Sequence, residues 1–160
     1  MIMGAVMSEE SRILEGYVSL PYKWSMGATT TRFFEEFKNK RIMGTKCKKC
    51  NRVLLPARKF CSHCFEETDQ WVEVSQEGKL RTWVTVNFSY EGQPKEPPYV
   101  LGIIDLDGAD VGLPHFVGGI PTDDFDEIAK KVRIGGRVKA VWKENRTGNI
   151  LDIDYFKPVD

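Results

Sequence analysis

Cys47-Lys48-Lys49-Cys50 and Cys61-Ser62-His63-Cys64 hold all four cysteines of the chain, as two Cys-x-x-Cys pairs with ten residues between them. Two thiolate knuckles this close can share one tetrahedral metal. Four Zn–S bonds of about 2.3 Å saturate the ion and leave no position open for catalysis, so the spacing predicts a structural site. Two disulfides would need an oxidising compartment, and nothing in the sequence directs the chain to one. A redox dithiol uses one such pair and leaves the second unexplained. Zinc is the expected ion; iron in a rubredoxin-like site would use the same four thiolates, and ligand type does not separate the two. Asn51 follows the first knuckle, where the backbone often turns through positive φ, which Asn tolerates. His63 reads as a solvent-facing knuckle residue, its alternative role being that of a ligand in place of one cysteine.

A ribbon built on such a site is small, and the metal must supply much of its folding free energy. The rest of the 160 residues must fold by burying apolar surface, and 41% hydrophobic with 29% charged residues suits a globular protein. No run approaches the roughly 18 apolar residues of a membrane span. Residues 1–7 are apolar, but they lack a basic start and soon meet Glu9 and Glu10, too short a run for a signal-peptide core. The expected location is cytoplasmic.

Formal net charge is zero, but the charges are unevenly spread. Nine bases and no acid lie between Lys38 and Phe60, so the remainder carries nine more acids than bases. Lysines near thiolates balance a metal centre that carries about −2. The functional reading of the same stretch is an anion-binding face.

Thr29-Thr30-Thr31 offers N-cap hydroxyls to a helix over 32–40, with Phe33, Phe34 and Phe37 on one side, Glu35 and Glu36 early, and Lys38, Lys40 and Arg41 late. Before it, Leu20, Pro21, Tyr22, Trp24 and Met26 form an apolar cluster that either packs on the body or meets a partner. Residues 42–45 and 52–56 are the arms of the ribbon, and 69–74 a third strand with Trp71 over its core. A turn at Gln76-Glu77-Gly78 closes the unit. From Lys79 the period becomes two: Leu80, Thr82, Val84, Val86 and Phe88 on one face, Arg81, Trp83, Thr85 and Asn87 on the other. Strands follow at 99–105 and 111–117, with a hairpin turn at Asp107-Gly108 and Pro114 marking an edge or bulge. Pro121 to Asp124 caps a helix carrying Phe125, Ile128, Ala129 and Val132 on one face. Strands at 137–142 and 150–156 complete the chain.

The expected fold is mainly β. Residues 1–40 form an N-terminal extension and helix, 41–76 a rubredoxin-like zinc ribbon, and 77–160 a five-stranded OB-fold barrel with one helix between its third and fourth strands.

Gly44-Thr45-Lys46-Cys47-Lys48-Lys49-Cys50, Leu55-Pro56-Ala57-Arg58 and Glu77-Gly78-Lys79-Leu80, following a Phe-rich helix, resemble a prokaryotic family of acyl-CoA-associated OB-fold proteins with a rubredoxin-like zinc ribbon. Ala57 stands where that family often has a second proline and Asn51 where it often has glycine; neither change removes a metal ligand. The resemblance implies a non-catalytic accessory or scaffold subunit bound to a thiolase-like acyl-CoA enzyme. In archaea one such protein bridges acetoacetyl-CoA thiolase and hydroxymethylglutaryl-CoA synthase, and bacterial relatives pair with hydratase or aldolase subunits. CoA or acyl-CoA is then the expected anion, with Lys48, Lys49, Arg52, Arg58 and Lys59 facing its phosphates. The residues themselves fit a non-enzyme, since no free Cys nucleophile remains and neither His63 nor His115 pairs recognisably with a Ser or Asp. Two alternatives stand: a subunit of an acyl-CoA hydratase or aldolase, and a single-stranded nucleic-acid binder stacking bases on Trp83, Phe88, Tyr90 and Tyr99. The acidity of the barrel segment opposes the second.

Overall fold

The computed structural model describes residues 23–159, so the apolar stretch 1–7 and Leu20, Pro21 and Tyr22 lie outside the described residues. Helix α1 (Gly27–Phe37) leads into strands β1 (Ile42–Lys46), β2 (Val53–Leu54) and β3 (Gln70–Val74). These form an antiparallel sheet in the order β2-β1-β3. Strands β4 (Glu77–Val86), β5 (Tyr99–Leu106), β6 (Leu113–Val117), β7 (Arg137–Trp142) and β8 (Ile153–Pro158) close a barrel in the order β4-β5-β6-β8-β7. Only β6 and β8 run parallel, meeting at Val117 and Phe156. Helix α2 (Phe125–Lys131) lies between β6 and β7, which is the OB-fold connection. No helix among the described residues is long and apolar enough to cross a membrane.

One apolar cluster runs through all three parts, from Phe33 and Phe37 of α1 through Ile42, Leu55 and Val74 of the ribbon to Leu80, Ile104 and Phe156 of the barrel. Phe37 stacks edge-on against Trp142 of β7, ring centroids 5.5 Å apart. Arg146 donates to the Lys38 carbonyl and Gln76 to the Lys40 carbonyl, so the end of α1 is held by the barrel side. The phenylalanine stripe is therefore core: Phe33 and Phe37 are fully buried, at about 2–3 kcal/mol each, and Phe34 packs beside them.

The sequence expectation for α1 needs correction. The helix begins at Gly27, so Thr29 to Thr31 lie inside it, and it ends at Phe37 rather than Lys40. With no acid in the first turn and no base in the last, its charges serve side-chain pairs instead, Glu35 with Lys38 and Glu36 with Arg41.

Glu77 and Gly78 are barrel strand rather than turn. A Cβ on Gly78 would lie 2.2 Å from the Asp105 carbonyl oxygen, so only glycine allows β5 this close. The alternation predicted for β4 also fails midway. Leu80 pairs with Ile104 and Thr82 with Ile103, leaving Arg81 as the extra residue of a bulge. The faces swap there: Leu80 is buried, Val84 is 57% exposed, and Trp83 packs against the core. Pro114 lies where β6 has only β5 beside it, as its missing N–H requires.

Asp124 caps α2, its side chain accepting from the Asp126 and Glu127 amides. Ile128 and Val132 are buried as expected, but Phe125 is 61% exposed and Ala129 also faces solvent. The last strand starts later than predicted, because residues 150–152 form a 3-10 turn around buried Asp152. Its carboxylate accepts from the amides of Thr147, Gly148 and Asn149 at 3.0, 2.7 and 3.2 Å. Burial would raise this carboxyl; the three donors outweigh it and hold it below its usual range.

Candidate metal centre

The two knuckles repeat one local structure. The Cys47 amide donates to the Arg52 carbonyl and the Asn51 amide to the Cys47 carbonyl; Cys61 and Phe65 do the same with Glu66 and Cys61. Each turn passes through positive φ at the residue after its second cysteine, 60° at Asn51 and 58° at Phe65. Asn51 was legible from sequence. Phe65 was not, because a phenylalanine carries no signal for a conformation that suits Asn or Gly.

All four sulfurs lie within 4.8 Å of one another, with Cys50 Sγ and Cys61 Sγ 3.7 Å apart. A tetrahedron with 2.3 Å bonds has edges of about 3.8 Å, so the donor set fits one zinc or iron ion. Backbone amides of Cys64 and His63 aim at the Cys61 sulfur and lower its thiol to about 7. Burial, and then the neighbouring Cys50 and Cys47 sulfurs, push Cys64 up to about 12. Four sulfurs this close cannot all ionise unaided, and a cation between them removes that conflict. His63 is exposed, its Nδ1 3.5 Å from Cys64 Sγ, and the four thiolates complete the tetrahedron without it.

Two features of the centre had no sequence signal. Thr45, fully buried in β1, donates to the Arg58 carbonyl at 2.9 Å and accepts from the Arg58 amide at 3.0 Å. Thr68 Oγ1 donates to the same carbonyl, so two hydroxyls tie the segment between the knuckles to the sheet. The barrel also reaches the ribbon. Asp110 accepts from the Val53 amide at 2.8 Å and its own amide donates to the Val53 carbonyl at 3.0 Å, while Val111 packs against the cysteine cluster. Val111 thus leaves the strand expected at 111–117 and, with Asp110, covers the metal side of the ribbon; β6 begins only at Leu113.

The five basic residues expected to meet an anion are all exposed. Three have partners just past the acid-free stretch: Lys48 pairs with Asp69 at 2.8 Å, Lys49 with Glu66 at 3.4 Å and Lys59 with Glu67 at 3.5 Å. The Lys48 ammonium beside Asp69 holds that carboxyl below its usual range. Three of the nine bases in that stretch are therefore answered across the ribbon by Glu66, Glu67 and Asp69. Arg52 and Arg58 make no ion pair among the described residues. Tyr99 is only 2% exposed and offers no stacking face.

His115 is 4% exposed, and both its nitrogens are occupied: Nδ1 accepts from the Phe116 amide at 2.9 Å, and Nε2 lies 3.0 Å from the Ile150 carbonyl, to which it donates. Burial lowers its pKa, so it stays neutral.

Residues 34–69 match the ChsH2 rubredoxin-like zinc ribbon domain, and residues 71–143 the ChsH2 C-terminal OB-fold domain. A DUF35 domain-containing scaffold protein of Methanocaldococcus jannaschii is 30% identical over 124 residues, 74% of this chain and 82% of that one. A DUF35 domain-containing scaffold protein of Pyrococcus furiosus is 25% identical over 130 residues, 81% of this chain and 92% of that one. Two solved structures share the fold, each with a TM-score of 0.60. One is a DUF35-family protein of unknown function from Sulfolobus solfataricus, at 24% identity over 82% of this chain and 86% of that one. The other is the Ltp2-ChsH2(DUF35) aldolase, at 23% identity over 81% and 93%. With both halves matched and the four thiolates gathered in the ribbon, the chain belongs to the DUF35 family of ChsH2-type zinc-ribbon and OB-fold proteins.

Proposed function

We propose that this chain is a non-catalytic accessory subunit that binds a thiolase-like acyl-CoA enzyme, and bridges it to hydroxymethylglutaryl-CoA synthase where both are present. The observation that carries the reading is the likeness, over most of both chains, to a relative named a scaffold protein. The chemistry supports it. Four thiolates saturate the metal, and His115 has neither nitrogen free for proton transfer. The metal, zinc in this reading, supplies folding energy only.

Trp24, 63% exposed, and Met26, 41% exposed, supply the docking surface before α1. Phe33, Phe34 and Phe37, apolar in sequence, are spent on the chain's own core and are not part of that surface. Lys48, Lys49, Arg52, Arg58 and Lys59 face the CoA phosphates at the enzyme's mouth. The three ion pairs there are exposed and screened by solvent, so a polyanion replaces those carboxylates at small cost. A second reading, one subunit of an aldolase, is favoured by the name of the solved Ltp2-ChsH2(DUF35) aldolase.

The test is co-expression with the thiolase encoded nearest in the genome. A stable complex on gel filtration is expected, weakened by Trp24→Ala without loss of metal. Thiolase activity retained by the partner alone supports the scaffold, whereas aldol cleavage that requires both chains supports the second reading. If the chain elutes alone beside every acyl-CoA enzyme of its host, both readings fail.

A further inference from the structure

A cavity of about 380 Å³ opens at the end of the barrel where β7 begins and β8 ends, lined by neither the cysteines nor the ribbon lysines. Its floor is apolar: Leu80, Val132 and Val138 line it and are each at most 2% exposed. Lys130, Lys131, Arg133 and Arg137 supply all its charged lining, and no carboxylate lines it.

We infer that this cavity binds a small organic anion, an apolar body carrying one carboxylate or phosphate head. Two of the four cations are already engaged from outside the wall. Arg137 forks onto Asp107 at 2.9 and 2.7 Å, and Lys130 pairs with Glu127 at 2.8 Å. Lys131 and Arg133 are exposed beside the apolar floor, and no acid of the lining answers them. The Arg133 Nε donates to the Lys130 carbonyl at 3.2 Å, which anchors the guanidinium and leaves its terminal nitrogens as a fork for an oxyanion. The C-terminal end of α2 accounts for Lys130 and Lys131 through the helix dipole. It accounts for the Arg133 Nε, which caps the Lys130 carbonyl, but neither for the terminal guanidinium nitrogens nor for the apolar floor beneath them. An apolar pocket with a few convergent charges is the usual form of a small-molecule site, and this volume is at the small end of that range. The inference does not depend on any partner enzyme.

Isothermal titration of the full, metal-loaded chain with octanoate and with octyl phosphate tests it, with 1-octanol and inorganic phosphate as controls. One saturable site is expected for at least one amphiphilic anion, with amide shifts at Val132 and Gly136. The tighter of the two identifies the head group. Each control lacks half of the recognition and should bind at least about tenfold more weakly. The double variant Lys131→Ala/Arg133→Ala changes two exposed residues and should weaken binding about tenfold or more, whereas Lys48→Ala/Lys49→Ala should not. Absence of saturable binding by both probes, octanol binding as tightly as the anions, or full binding by the Lys131/Arg133 variant overturns the inference.

Discussion

Replacing Asp152 by Ala removes a buried carboxylate that serves as acceptor for three consecutive amides, at 3.0, 2.7 and 3.2 Å. The same turn carries the Asn149 cap and the Arg146 bond to the end of α1, so its loss is felt beyond β8. A hydrogen bond to a charged group is worth about 1.5–3 kcal/mol. Thr147 and Asn149 are exposed and water can reach their amides once the carboxylate is gone, so the full sum does not apply. The expected cost of Asp152→Ala is about 2–4 kcal/mol at pH 7, and Asp152→Asn, which keeps one acceptor but loses the charge, should cost about half as much. Urea unfolding followed by tryptophan fluorescence measures both. The folded carboxyl titrates below its unfolded value of about 3.9, so its contribution is complete above that value and disappears as pH falls through the folded one. Wild type and Asp152→Ala should converge there, and acid release of the metal cancels because both chains share it. A cost under about 0.5 kcal/mol at pH 7, or a difference that persists unchanged in acid, would refute the reasoning.

Cys61→Ser should lose the metal by elemental analysis. Because Val111 and Asp110 of the barrel rest on the ribbon and the core is continuous, amide exchange should rise at 107–112 as well as at the knuckles, and exchange confined to the ribbon would contradict the shared core. His115 should remain neutral below the ordinary histidine value of about 6.5, read from its ring nitrogen shifts. Its contribution to stability is complete above that unfolded value and falls as pH drops toward the lower folded one; a ring that titrates at or above 6.5 would show that the burial argument fails.

Within the candidate site, the legible part was the part made by neighbours in sequence. The four ligands and the positive φ at Asn51 follow from local spacing and steric tolerance, and the structure gathers them as expected. Thr45, Thr68 and Asp110 were not legible, because each acts on backbone brought from 10 to 57 residues away. The carboxylates that pair with Lys48, Lys49 and Lys59 were not legible for the same reason: they come from the far side of the second knuckle.

By itself, the sequence determined the metal knuckles, the order of the five barrel strands and the place of α2, because ligand spacing, the period of apolar residues and turn chemistry act over short stretches. Tertiary structure decided which faces those elements turn. Closing the barrel inserted Arg81 as a bulge and moved Val84 outward, and it brought β5 against Gly78. Joining the three parts into one core buried Phe33 and Phe37, tied Asp110 to the ribbon and sent Val111 there rather than into β6. These outcomes depend on how strands close and which surfaces meet, and a local pattern holds no record of either.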